Sequence, residues 1–259
     1  MFIATLKKIT LFAAASAAAL VLAVSCDGLA LPATVFSASI DEMDIKSQLV
    51  DRGKVNWEET DVVCVNSSMF SVKPKNPATD ALLILQNGQR PPVAPFAAIY
   101  PSSLYVDGKY ILPDTQIYSE GKINAPMYAT GNSQDLKFRN ICGVVCLNIT
   151  GEDKIKSITV KTNSAGERIS GEFFIVQGTD DKMMMQPSYG RTVTIECGEG
   201  VQLNMSAAKQ FYFFFPPATY SAGLKFTAVN SNNKSYVLTT EKDTSFFRNC
   251  VYNFYWELM

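Results

Sequence analysis

Six cysteines hold most of the reactive chemistry available to this 259-residue chain, which has no histidine at all. Without an imidazole there is no Ser-His or Cys-His pair, no His-Glu-x-x-His helix and none of the commonest catalytic zinc sites. Cys26 stands apart from the other five. It follows Ala23-Val24-Ser25 at the end of an apolar run from Leu11 to Val24, broken by Ser16 and preceded by Lys7 and Lys8. That run is shorter than the roughly 20 apolar residues that cross a bilayer. A basic start, a short apolar run and small residues before a cut mark a secretory leader. A cysteine at that cut is where bacterial lipoprotein processing attaches lipid. Residues 1–25 are therefore expected to be removed as a lipoprotein signal peptide, leaving a lipidated Cys26. Leu22 lies one place early for the usual pattern, and the alternative is an ordinary leader with a chance cysteine.

Cys64, Cys142, Cys146, Cys197 and Cys250 are an odd set for an exported protein, so at least one is expected to stay free. Cys142 and Cys146 on one strand would sit about 13 Å apart, too far for a disulfide. Most of the five lie in apolar runs such as Asp61-Val62-Val63-Cys64-Val65, which favours buried small hydrophobes over nucleophiles. Their disulfide state is left open. Ser206-Ala207-Ala208-Lys209 matches a serine–lysine nucleophile motif but lacks its companion elements. Gly198-Glu199-Gly200 lacks the third glycine of a phosphate loop. The adjacent acids Glu58-Glu59 and Asp180-Asp181 point to opposite sides of any strand, which disfavours an acid/base couple. No catalytic residue, metal ligand or cofactor is expected, and the protein is read as a non-enzyme.

Some scaffold must carry these residues, and its signals are those of strands. Hydrophobic residues make up 47% of the chain and aromatic ones 11%, ample for a core. They fall in short alternating runs broken by Gly, Pro, Asn and Asp. Thr34–Ile40 reads as a first strand, and Lys54–Val65 as two strand pieces around an acidic turn. Asn87-Gly88 and Asp107-Gly108 read as hairpin turns. In Asn140–Ile149, Ile141, Val145, Leu147 and Ile149 should share one face, with Gly143 there to admit a close neighbour. Phe211–Phe215 reads as a strand buried on both faces, and Met183-Met184-Met185 as core or strand edge. The end of the chain alternates through Tyr252, Phe254, Trp256 and Leu258. Asn124–Gln134 is the expected passage between two domains, over residues 26–130 and 131–259. The fold expected is all-β, two antiparallel Greek-key sandwiches. The whole chain carries a net charge of −1, and losing Lys7 and Lys8 with the leader makes it −3. No pull on nucleic acid is expected from that balance.

Several stretches, in order, resemble one family. Trp57-Glu58-Glu59-Thr60-Asp61-Val62-Val63 looks like its Trp-x-x-x-Asp signature, and Ala98-Ile99-Tyr100-Pro101 resembles a strand end ending in Tyr-Pro. Pro126-Met127-Tyr128-Ala129 and Leu136–Gly143 are similar to its interdomain passage and next strand. Ile155–Val160, Ile169-Ser170-Gly171, Pro216–Tyr220 and Arg248–Tyr252 follow. The family is that of the fimbrillin or Mfa-like subunits of type V pili. The resemblance implies two transthyretin-like β-sandwich domains and export as a lipoprotein to the outer membrane. It also implies, in polymerising subunits, a protease cut after an arginine in the loop behind the first strand. Arg52, in Val50-Asp51-Arg52-Gly53-Lys54, falls at that place; one more solvated loop arginine is the plain alternative.

The expected function is a lipid-anchored fimbrial subunit or accessory protein at the cell surface, assembling by strand exchange and adhering to a host or glycan ligand. Its expected partners are other fimbrial subunits and, through Cys26, the outer membrane. The alternative is a surface glycan-binding lipoprotein of a nutrient-uptake system. Shaft, anchor and tip roles are not separated by the sequence.

Overall fold

Alternating burial runs through strand after strand of the computed structural model, which describes residues 33–41, 44–45, 55–120, 125–176, 182–185 and 190–259. The first part of the chain supplies β1 (Val35–Ile40), β2 (Asp44–Ile45), β3 (Val62–Val65), β4 (Ser68–Pro74), β5 (Asp80–Leu85) and β6 (Phe96–Tyr100). A single 3-10 turn at Ser102–Leu104 follows, then β7 (Tyr105–Val106), β8 (Lys109–Leu112), β9 (Thr115–Ile117), β10 (Met127–Gly131) and β11 (Asp135–Asn140). Seven of these close into a barrel in the order β1-β11-β10-β6-β3-β4-β5. Side chains alternate across each strand. Phe70 and Val72 of β4, and Leu136 and Phe138 of β11, therefore turn inward while their neighbours face out. The barrel core gathers Phe36, Trp57, Phe70, Leu83, Phe96 and Phe138.

The remaining chain supplies β12 (Gly143–Thr150), β13 (Lys154–Thr162), β14 (Gly171–Val176), β15 (Lys182–Met185), β16 (Thr192–Gln202) and β17 (Lys209–Phe215). The last strands are β18 (Ala218–Tyr220), β19 (Leu224–Asn230), β20 (Ser235–Thr239), β21 (Thr244–Phe246) and β22 (Cys250–Glu257). Two sheets, β17-β12-β22-β2 and β20-β19-β13-β16-β9, enclose the second core. Val145, Leu147 and Ile149 of β12 meet Phe211, Phe213 and Phe215 of β17 there. The opposite face of β12 and β17, with Val144, Cys146, Tyr212 and Phe214, packs in a third cluster with Ile99 and Tyr128 of the barrel and Phe173 and Met183 of the sheet β15-β14-β8-β7. That double burial explains the nearly unbroken apolar runs of both strands. The residues from Ala33 onward hold together as one unit.

The all-β class is as expected, and several local readings are met. Asp107 and Gly108 take positive φ (48° and 81°) between the paired Val106 and Lys109, forming the two-residue hairpin. A Cβ on Gly143 would sit 2.9 Å from Phe246 Cβ and 3.1 Å from Phe247 O, so the close neighbour is real. Phe211–Phe215 is buried on both faces, and Met183 is buried while Met184 is exposed on the edge strand β15.

Other readings change. The Asn87-Gly88 turn forms with Gly88 at φ 80°, but β5 pairs with β4 and β1 rather than with β6. Pro91 and Pro92 follow the turn and have no N–H to continue a ladder. Residues 55–61 are irregular rather than a strand piece, because the Trp57 N–H donates to Ala78 O and the Glu58 N–H to the Asp61 carboxylate. Ile141 precedes β12 and joins the third cluster instead of the face of Val145 and Leu147. The stretch expected as a passage contains β10, whose Met127, Tyr128 and Ala129 are buried and whose partners are β6 and β11. Pairing also crosses position 131 in both directions. The later β11 belongs to the barrel, while the earlier β8 and β9 pair with β14 and β16. Cys26, Arg52, Asp180, Asp181 and the leader lie outside the described residues.

Candidate functional site

The groups best able to do covalent chemistry are sealed away. Cys64, Cys142, Cys146, Cys197 and Cys250 are all buried, and no disulfide joins them. Burial pushes the Cys64 and Cys146 thiols up to about 11 and Cys197 to about 12, and raises Cys142 as well. A thiol held protonated is a poor nucleophile. Ser206 and Lys209 do not form a couple: Ser206 Oγ donates to Asn204 Oδ1 at 2.8 Å, and Lys209 pairs with Glu120 at 2.5 Å. Glu58 and Glu59 are exposed. Among the described residues no three Cys, Asp or Glu side chains gather as a metal site would require.

The backbone offers more. β1 is the strand that closes the barrel, and it is bonded on both sides. Val35–Ser39 run antiparallel to Asp80–Ile84 of β5, and Ser37–Ile40 run parallel to Asp135–Phe138 of β11. Every other neighbouring pair in the ring is antiparallel. Taking β1 away would bare two rows of backbone N–H and C=O groups and an apolar slot. Phe36 fills most of that slot. It is fully buried and meets Phe96 edge-on at 4.8 Å and Phe70 at 5.3 Å. Ala38, one alternation later, needs only a shallow pocket. The Asp41–Arg139 ion pair at the strand's end spans 2.9 Å, with both side chains more than two-fifths exposed. It adds at most about 1 kcal/mol, so the ladders and Phe36 hold the strand.

A second assembly lies in the chain from Val55 onward, before β3. Trp57 is buried between Tyr100 and Phe138, each ring 5.2 Å away and near perpendicular. The Tyr100 hydroxyl donates to Asp61 Oδ1 at 2.9 Å, and Asp61 Oδ2 accepts the Glu58 N–H at 2.8 Å. Burial, then the Asp61 charge, drives the Tyr100 phenol well above its ordinary range. Trp57, Asp61 and Tyr100, the residues of two separate sequence signatures, thus form one clamp. It fixes the chain from Val55 onward to the barrel through contacts that do not involve β1. By sequence, Arg52 falls between β2 and this clamp.

Two participants carry weaker sequence signals. Asn66, at φ 45° in the two-residue turn between β3 and β4, donates from Nδ2 to Val93 O and Pro95 O at 2.9 Å and accepts the Ala97 N–H at 2.8 Å. Its signal is an Asn between two alternating apolar runs. Gln116 has no such signal. It sits in β9 between exposed Thr115 and Ile117, is 8% exposed, and lines a cavity of about 30 Å³. Neither its Oε1 nor its Nε2 has a hydrogen-bond partner.

No protein-family model matches the chain, and no curated protein does. Solved structures to which this chain is similar include a candidate cell adhesion protein from Bacteroides ovatus, at 11% identity and a TM-score of 0.48, covering 88% of this chain and 92% of that one. A candidate cell adhesion protein from Bacteroides uniformis has 14% identity and a TM-score of 0.46, over 86% and 93% of the two chains. The tip fimbrial protein Mfa3 from Porphyromonas gingivalis, with a C-terminal truncation, has 10% identity and a TM-score of 0.32, over 85% and 94%.

Proposed function

We propose that the protein is a lipid-anchored subunit or accessory protein of a surface fimbrium, one that assembles by exchange of β1. The observation that carries this reading is the position of β1. It closes the barrel as a single strand, bonded separately to β5 and β11, while the chain behind it has its own clamp at Trp57, Asp61 and Tyr100. A cut between the two, at Arg52, would sever the segment of β1 and β2, the latter paired with β22, from the chain and leave the rest of the barrel tied down. An extended segment from another subunit can then satisfy both bare ladders and fill the Phe36 slot, and the contact needs no catalysis. Lipid on Cys26 would hold an uncut copy at the outer membrane, and a cut copy would be released for polymerisation. Its partners in this reading are other subunits and whatever surface ligand the fimbrium meets.

The test uses the mature protein in three forms: intact, starting at Gly53, and intact with Ser39→Cys and Asp80→Cys on registered partner positions of β1 and β5. The Gly53 form is expected to oligomerise or to bind a peptide of residues 34–40. The cross-linked form should stay monomeric and folded. A folded Gly53 form that neither oligomerises nor takes up the peptide would overturn the reading.

A further inference from the structure

β20 is the last strand of its five-stranded sheet and is paired with β19 on one side only. The register sets Lys225–Val229 against Ser235–Thr239. Just past the two ends of that pairing, the Thr240 N–H donates to Leu224 O and the Asn230 N–H to Lys234 O. In an antiparallel ladder the N–H and C=O of one residue point to the same side, and successive residues alternate. Lys234, Tyr236, Leu238 and Thr240 therefore turn their backbone groups toward β19. Ser235, Val237 and Thr239 turn theirs away from it, along an open edge.

Proteins blunt such edges with lysine, proline, a bulge, a short strand or a covering segment. The opposite edge of the same sheet follows that rule: β9 has three residues and comes directly after Pro113 and Asp114. β20 does not. Ser235-Tyr236-Val237-Leu238-Thr239 carries no charge, no proline and no bulge, and Tyr236, Val237 and Thr239 are of types that favour strands. Val237, at the middle, is 53% exposed. Tyr236 and Leu238 turn the other way and pack on the second core, which fixes the edge in an extended form.

We infer that β20 pairs antiparallel with β20 of a second copy of this chain, joining two five-stranded sheets into one. The outward set is symmetric about Val237. A two-fold axis there sets Val237 against the partner's Val237, and Ser235 and Thr239 against the partner's Thr239 and the partner's Ser235. Each of these three pairs exchanges two N–H···O=C bonds, and no outward group of β20 is left over. A shift of two residues either way sets one outward residue of each copy opposite a residue outside β20. One edge thus supplies both halves of the contact, which marks a second copy as the occupant. Charge fits as well. Lys234 lies just before the strand and the exposed Glu241 just after it, so antiparallel pairing brings each Lys234 beside the partner's Glu241. No like charges oppose one another within the ladder. The contact is short, well below the size of stable interfaces. In dilute solution, where strand exchange is assayed, copies stay apart; pairing sets in at roughly 0.1–1 mM. This inference does not depend on strand exchange, since β1 and β20 lie in different sheets.

The experiment uses the intact mature protein with the Ser39→Cys and Asp80→Cys cross-link, which holds β1 in place, and with Cys26→Ser, which prevents a disulfide between copies. Sedimentation equilibrium from about 10 µM to about 1 mM covers the expected range. A monomer–dimer equilibrium is expected, and hydrogen exchange at the N–H groups of Ser235, Val237 and Thr239 should slow as the dimer fills. Val237→Lys sets like charges across the axis and should weaken association at least about tenfold. A mixture of Val237→Lys with Val237→Glu should pair again. Val237→Pro removes one outward N–H from each copy, leaves the ladder to β19 intact and should also weaken association. A protein still monomeric at about 1 mM, dimers that leave those three N–H groups unprotected, or undiminished association in both folded variants would overturn the inference. So would capture at β20 of a peptide of residues 34–40 in place of a second copy. Oligomerisation of the Gly53 form is a separate readout, so failure of one idea is distinguishable from failure of the other.

Discussion

Tyr100 donates its hydroxyl hydrogen to Oδ1 of Asp61 over 2.9 Å, although 39 positions separate the two residues. The same carboxylate caps the Glu58 N–H, and the Tyr100 ring stacks edge-on against Trp57. Hydrogen bonds to a charged acceptor in a partly dry site are worth roughly 1.5–3 kcal/mol each. Asp61→Ala is therefore expected to destabilise the protein by about 2–4 kcal/mol, and Tyr100→Phe by less. The double variant should fall short of the sum, because both lose the same bond. Urea melts of the four proteins measure the coupling; strict additivity would mean the bond contributes nothing.

Phe36 should dominate the hold on β1. Phe36→Ala is expected to cost about 3–5 kcal/mol, localised to the barrel. Amide exchange should speed up first along the ladders of β5 and β11 that face β1. Arg139→Ala, which removes only the half-exposed ion pair, should stay within about 1 kcal/mol. A larger loss from Arg139→Ala than from Phe36→Ala would mean that charge, not packing, holds the strand.

Gly143 faces Phe246 too closely for any side chain. Gly143→Ala should cost about 1–3 kcal/mol by overpacking. Substituting Phe246 with Leu in the same chain should recover none of that loss, since the 2.9 Å conflict is with the Phe246 Cβ, which leucine keeps. Thermal unfolding of the single and double variants is the measurement.

The buried thiols make stability fall in alkali. A free thiol titrates near 9.0, whereas Cys64 and Cys146 are raised to about 11 in the fold. The unfolded chain therefore loses these protons first. The stabilising contribution is complete below pH 9 and is lost as the pH climbs toward 11. The raised Tyr100 phenol acts in the same direction, starting near 10.0. Chemical melts at pH 7, 9, 10 and 11 should show this decline, and Cys146→Ala should make it shallower. A thiol reagent at pH 7 should find none of these five cysteines until the protein unfolds.

Strand existence and type were legible because the pattern that encodes them is local. The Asp107-Gly108 turn and the unbroken run at Phe211–Phe215 each report on a few neighbouring residues, and each formed as read. The clamp was legible only in pieces: Trp57, Asp61 and Tyr100 stood out in two signatures, but nothing in either says that the two meet. Asn87-Gly88 marks the limit from the other side. The turn is there, yet the strands flanking it are not paired, because partner choice depends on which distant backbone offers a free ladder.

By itself, then, the sequence determined an all-β chain without any imidazole and a first strand starting near Thr34. Only the tertiary structure decided that this strand closes a barrel by running parallel to β11, that β8 and β9 pair beyond position 131, and that Gln116 is left facing a cavity. The reason is the range of the forces. Propensity and alternation act over a few residues, whereas sheet order and the burial of one unpaired amide are settled by which surfaces fit when the whole chain has packed.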